Sequence, residues 1–347
     1  MDIAKGLLIL LVVMGHIPVM FRNIMTDNYQ YISYYDIPHS YVRCFFMQAF
    51  FVLTGLTTNF ERPFPAYLKR CLKGILVPYL FFSCITFLVG RIFWEQSPFY
   101  HIGEESYLFV FEDFWFLQSL FTAKILYYIV RRSVNNCWIT GSILLLFVLI
   151  SISISYGYAD HESPSHFHNY FHYRNALAMC IFVWLGDMFR GGVKLSLLRN
   201  ASVVFLVISI VSFVLIYAKL PLPQIIEAII LPVQYTHESN LNSLLSIPSY
   251  LIYAVTGTAF VFYIAILISN MNCRMIEYFG RNSIVVYCLH FTFLQFIIRG
   301  LYGLIVPSSV FLAILFFLLC LALTVLLCGI SIWFFNLKYV RCLIGKW

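Results

Sequence analysis

Residues 2–21 read Asp-Ile-Ala-Lys-Gly-Leu-Leu-Ile-Leu-Leu-Val-Val-Met-Gly-His-Ile-Pro-Val-Met-Phe. Between residues 3 and 21 the only ionisable side chains are Lys5 and His16. A helix needs about 20 mostly apolar residues to cross a bilayer, and this stretch supplies them. No basic segment precedes it and no small-residue cleavage pattern follows, so it reads as a first spanning helix rather than a cleavable leader.

The rest of the chain has the same character. Of its 347 residues, 61% are apolar and 11% charged, where a soluble domain carries roughly a quarter charged. The mean hydropathy is +0.86, with 35 Phe and 24 Tyr, and the polar surface of a soluble globule cannot cover that much apolar material. These numbers exclude a soluble enzyme, a disordered regulator, a fibrous repeat and a secreted disulfide scaffold. Ten apolar stretches are candidate spans: 3–21, 42–60, 74–94, 114–130, 138–158, 174–190, 201–218, 247–269, 283–303 and 310–336. Residues 221–235 are apolar but carry Pro221, Pro223 and Pro232, and read as a re-entrant or interfacial piece.

Charge orients the spans. With residue 1 on the cytoplasmic side, fifteen of the 22 Lys and Arg fall on inner ends and loops, six on outer ones, and Lys124 within a helix. Eleven of the 15 acidic residues fall outside. An odd number of spans would destroy this alternation in every later loop. The expected fold is therefore all-α and integral to the membrane, about ten transmembrane helices in one bundle with both termini cytoplasmic. Residues 1–347 read as a single transmembrane domain. No CxxC pair has a matching second pair, and Cys84, Cys180, Cys288, Cys320 and Cys328 lie in apolar runs, so neither a zinc site nor a disulfide framework is indicated.

Lys5 and His16 stand about 16 Å apart along a helix. With Lys5 at the inner boundary, His16 lies past the middle of the hydrocarbon. Asp2 reads as a helix cap and Lys5 as a snorkelling cation, and His16 is either a packed histidine or a functional one, since ionisable groups at membrane depth are costly. An imidazole there rests neutral and can accept a proton.

Several segments together resemble a known family. Asp2-x-x-Lys5-Gly6 with Gly15-His16 is similar to the opening of the membrane-bound acyltransferase-3 family. Phe45–Gly55, with Phe-Phe-Met-Gln at 45–48 and Leu-Thr-Gly at 53–55, resembles its second helix. Tyr67–Lys73 followed by Pro78-Tyr79 resembles its basic loop and third helix, Trp115-Phe116-Leu117 its fourth, and Gly280-Arg281-Asn282-Ser283 with Tyr287 and His290 its late polar segment. Phe46 stands where many relatives carry His, Gln48 where they carry Pro, and Lys5 where Arg is usual. Lysine there offers a point charge in place of a bidentate fork.

The resemblance implies a ten-helix membrane O-acyltransferase of bacterial surface carbohydrates. It implies transfer from cytoplasmic acyl-CoA, as acetyl-CoA, to a hydroxyl of a lipid-linked or cell-surface saccharide, in a bacterial inner membrane. The expected partners are that donor, the saccharide acceptor and membrane lipid, with no nucleic acid and no metal. His16 is the expected base, and His290 a second polar group of the core. Counted from Ser283, His290 lies only about 10 Å inside, and contact with His16 is not implied. Lys5, Lys69, Arg70 and Lys73 are the candidates for holding coenzyme phosphates, although positive-inside bias explains many inner cations, Arg131, Arg132, Lys194 and Arg199 among them. Trp115 and Asp113 are the candidates for acceptor binding.

Lys124 lies about 14 Å along its helix from Trp115, and either snorkels inward or faces a polar cavity. Asp187 reads as the ion-pair partner of an inner arginine such as Arg190. Residues 160–173 hold His161, His166, His168 and His172 with Asp160 and Glu162, in a spacing that matches no known metal site. A transporter or flippase of lipid-linked sugars is the rival reading. The expected difference is a pseudo-repeat of broken helices in the two halves, which this sequence does not show. A polysaccharide polymerase would carry longer Arg-rich outer loops.

Overall fold

The computed structural model describes residues 1–24, 42–93, 114–157, 170–217, 240–302 and 304–346, and among them every regular element is helical. In chain order these are α1 (Asp2–Ile24), α2 (Phe46–Thr57), α3 (Phe64–Cys71), α4 (Val77–Phe93), α5 (Trp115–Ser133), α6 (Cys137–Gly157), α7 (Tyr173–Met188), α8 (Leu195–Tyr217), α9 (Asn240–Leu267), α10 (Arg274–Arg281), α11 (Ser283–Tyr302) and α12 (Val310–Phe335). A π-helical turn, Leu72–Leu76, joins α3 to α4. Pro78 follows it and has no N–H to return to the carbonyl of Gly74, which favours the wider turn at this point.

Helices occupy all ten apolar stretches. Seven helical segments among the described residues are long and apolar enough to cross a membrane: those of α1, α3–α4, α6, α8, α9, α11 and α12. The other three differ for separate reasons. At 12 residues α2 is about 18 Å long. The 16 residues of α7 reach about 24 Å. Although α5 has 19 residues, it carries Lys124, Arg131 and Arg132. Large side chains such as Phe311, Leu318 and Trp333 on α12 and Ile210 on α8 stand outside the packed interior, as contact with lipid requires. The proline-bearing stretch 221–235 lies outside the described residues.

The chain forms two compact units, Met1–Phe50 with Gly191–Ile330, and Phe51–Arg190 with Ser331–Trp347. In the first, α1 packs on α10, α11 and α9, and α8 on α9. Leu8, Val12, Val13, Ile17 and Phe21 form the fully buried stripe of α1. The α1–α10 crossing is close because Gly6 and Gly280 are both bare. A Cβ on Gly6 would collide with the Ile276 carbonyl, and one on Gly280 with the carbonyl of Asp2. Asp2 does not serve as the helix cap that the sequence suggests; its carboxylate accepts from Arg281 Nε at 3.0 Å, and Arg281 also reaches Glu277 at 3.1 Å.

In the second unit α7 packs between α5 and α6. Its Gly186 meets Gly55 of α2 so closely that a Cβ on either would strike the other helix's backbone, at the carbonyls of Val52 and Val183. Small residues at such a crossing let two backbones touch, the usual device for joining helices in lipid.

Candidate active site

The first unit brings the two core histidines together. His16 Nδ1 lies 2.7 Å from the carbonyl oxygen of Val12, one turn back on α1. His290 is fully buried on α11, with Nδ1 2.7 Å from the Tyr287 carbonyl and 3.1 Å from that of Val286. Its Nε2 stands 3.4 Å from His16 Nδ1. Carbonyl oxygens only accept, so each imidazole carries its proton on Nδ1. His290 Nε2 is then an acceptor, placed to share the His16 Nδ1–H with Val12. This leaves His16 with its basic lone pair on Nε2, on an imidazole whose orientation two acceptors define.

Aromatic rings surround the pair. Phe291 lies 4.4 Å from His16 and 4.7 Å from His290 between ring centroids, and Phe46 presents an edge to His16 at 6.4 Å. Phe46 thus stands beside His16 and supplies an apolar ring there. Gln48, two residues on, is buried and donates from Nε2 to Tyr250 at 2.6 Å. Lys5 is half-buried on the same helix as His16.

Lys69, Arg70 and Lys73 share one stretch of the second unit. Tyr67 and Cys71 form the buried face of α3, which turns Lys69 and Arg70 outward. Neither has a carboxylate partner among the described residues. Lys73 falls in the π turn, half-buried, and its carbonyl packs against Gly345, which caps the short helical segment Arg341–Ile344 after α12. Gly345 has φ +76 and a Cβ there would stand 2.7 Å from that oxygen, so only glycine serves. Lys346 beside it donates to Asn336 at 2.8 Å, and burial lowers its ammonium from the ordinary lysine value.

Trp115 opens α5, its ring 6.4 Å from that of His172. Phe171 and His172, in the turn before α7, both have left-handed backbones, φ 52 and φ 47, uncommon for such side chains. Asp113 lies outside the described residues, as do Glu104, Glu105, Glu112 and residues 160–169 of the histidine-rich stretch 160–173. Among the described residues no group of three or more His, Cys, Asp or Glu could hold a metal ion.

Lys124 reaches toward the loop that follows α2. Its Nζ donates to Thr58 at 3.2 Å and stands 5.9 Å from the centre of the Tyr67 ring, whose hydroxyl donates to the Lys124 carbonyl. Asp187 pairs with Arg131 rather than Arg190, at 3.1 Å, and also accepts from Tyr127 at 2.8 Å. Glu61 joins Arg131 at 3.4 Å and Arg132 at 3.1 Å. All four acidic residues assigned to inner ends, Asp2, Glu61, Asp187 and Glu277, are thus held by arginines. Sequence inspection missed the Glu61 network, although four carboxylates among fifteen inner cations were its signal.

The family described as an acyltransferase domain matches residues 1–333, nearly the whole chain. No curated protein and no solved structure matches it. The matched stretch contains both members of the histidine pair. The chain belongs to the acyltransferase-3 family, and with its set of long apolar helices it is a multi-pass membrane acyltransferase.

Proposed function

We propose that the protein is an O-acetyltransferase of a bacterial inner membrane, with ten spans in one domain and both termini in the cytoplasm. It transfers acetyl from cytoplasmic acetyl-CoA to a hydroxyl of a lipid-linked or cell-surface saccharide. The observation that carries this reading is the geometry at His16, whose Nδ1 faces Val12 O at 2.7 Å and His290 Nε2 at 3.4 Å, an arrangement that suits a proton on Nδ1 and a basic Nε2.

In the reaction His16 Nε2 takes the proton of the acceptor hydroxyl while its oxygen attacks the thioester carbonyl. The imidazolium formed keeps its Nδ1–H on two acceptors, which orients it and supports the positive charge. Collapse of the tetrahedral intermediate breaks the C–S bond. The departing thiolate takes the proton from His16 Nε2, and the ester and coenzyme A leave with the base restored. His290 is a positioning residue in this scheme, since it acts through His16.

Lys5, Lys69, Arg70 and Lys73 hold the donor's phosphates. Trp115, with Asp113, meets the acceptor, where an indole face suits a sugar ring. Replacing Arg70 by Ala is expected to raise the KM for acetyl-CoA about tenfold with little change in kcat, the effect of losing one charged hydrogen bond. An unchanged KM removes Arg70 from the donor site.

The test of the whole reading is transfer of labelled acetyl from acetyl-CoA into the glycan fraction of membranes. Label that depends on the protein supports it. Label from succinyl-CoA alone changes the acyl group. No label from either donor returns the protein to the transport reading.

A further inference from the structure

A cavity lies wholly within the unit Phe51–Arg190 with Ser331–Trp347. It encloses about 360 Å³ where the end of α5, the start of α6, the end of α7 and the loop after α2 converge. Ligand sites of small molecules run from about 300 to 1,000 Å³, so this one suits a nucleotide rather than a whole coenzyme.

Its chemistry is mixed in an informative way. Trp184 supplies an aromatic wall, and its ring carbons come within 3.1–3.3 Å of where a Cβ of Gly141 would stand, so the bare glycine makes room for the indole. Asn135 and Thr140 add an amide and a hydroxyl, each able to donate and accept. The two carboxylates of the lining, Glu61 and Asp187, are already engaged by arginines. Arg190, exposed in the turn Phe189–Gly191, has no carboxylate partner among the described residues. Counting Arg132, which shares Glu61, the local balance is one positive charge in excess. A flat heterocycle with a hydrogen-bonding edge and an attached anion meets all of these features. An asparagine amide pairs with the edge of adenine, and an exposed arginine with a phosphate.

We infer that this cavity binds the phosphoadenosine head of the acyl donor, with Trp184 and Asn135 on the base and Arg190 on a phosphate. The inference rests on the acyl-CoA reading above and adds the place where the donor's nucleotide is recognised. The basic stretch of α3 and the π turn is left to the remaining phosphates. The loop bearing Glu61 leads directly into α3, so the two binding segments are continuous in the chain.

The experiment is equilibrium dialysis of labelled adenosine 3′,5′-bisphosphate against the full chain in detergent, comparing wild type with Arg190→Glu and Trp184→Leu. Saturable binding by the wild type, weakened about tenfold or more by each variant, is expected. Arg190 is exposed, so its replacement tests binding without disturbing the packed interior. A kinetic companion separates recognition from folding. Arg190→Glu should raise the KM for acetyl-CoA and leave that for acetyl-phosphopantetheine, which lacks the nucleotide, unchanged. No saturable binding, or equal binding by wild type and both variants, overturns the inference. Acetyl transfer from acetyl-CoA by the same wild-type membranes then shows whether the donor reading stands without it.

Discussion

His16→Ala should lower acetyl transfer by about 10²–10⁴-fold, the range that a positioned general base contributes, while the protein inserts and purifies like the wild type. The side chain is half-buried, and its removal leaves the fully buried stripe of α1 intact, so a loss of activity reports chemistry rather than folding. His290 refines the test. Its Nε2 acts as an acceptor for His16 Nδ1–H, and a glutamine places an amide oxygen near the position of that nitrogen. His290→Ala is expected to slow transfer by about tenfold, the equivalent of one oriented hydrogen bond, and His290→Gln to recover part of the loss. Full activity in His16→Ala membranes would remove His16 as the base. Equal activity in the two His290 variants would reduce that residue to packing.

The second large effect is on stability. Gly186→Leu places a side chain where α7 meets α2 backbone to backbone, with Gly55 Cα only 2.9 Å from the position of the first added carbon. Overpacking a core typically costs about 1–3 kcal/mol when side chains can shift. Here the obstacle is the Val52 carbonyl and the partner helix itself, so the helices must separate, and the cost should reach the upper end of that range or exceed it. Thermal unfolding in detergent, followed by the fraction that stays monodisperse, is the measurement. Gly90→Ala is the control, since nothing lies within 4 Å of a Cβ there. If Gly186→Leu melts with the wild type, the close crossing does not hold this unit together.

The positions of the helices were legible because long apolar stretches free of charge have few other folds open to them. Their lengths were less so. The second stretch, expected over 42–60, is broken by a turn at 44–45 and its helix Phe46–Thr57 ends short of residue 60, and the sixth, expected over 174–190, ends at Met188. A 3₁₀ turn and Gly192, with φ +112, follow that end, and composition does not register where such a turn closes a helix. His16 was legible as an isolated ionisable group at depth. Its contact with His290 was not, because counting inward from Ser283 takes α11 to begin at the inner boundary. The contact at 3.4 Å instead places Ser283 about one turn further along α1 than that count takes it. Packing between helices far apart in sequence sets that offset, and no periodicity within either helix carries it. The nucleotide-sized cavity was illegible for a similar reason, since it is built from the ends of three helices and a loop, none of which is distinctive alone.

The α1–α10 crossing also bears on the order in which the molecule is made. His16 and His290 are 274 positions apart, and the whole of Phe51–Arg190 is synthesised between them. Most of the second unit is therefore complete while α1 is still without α10 and α11. During that interval Lys5 and His16 sit in a helix whose own partners do not yet exist, and the packing that closes the first unit is of very long range. Contacts of this kind form slowly, and large chains assemble unit by unit in the order of their synthesis. The histidine pair is thus a product of the last stage of maturation. A nascent chain stalled before residue 274 would carry His16, the basic stretch and the nucleotide-sized cavity, and still lack His290, the second acceptor for the His16 Nδ1–H.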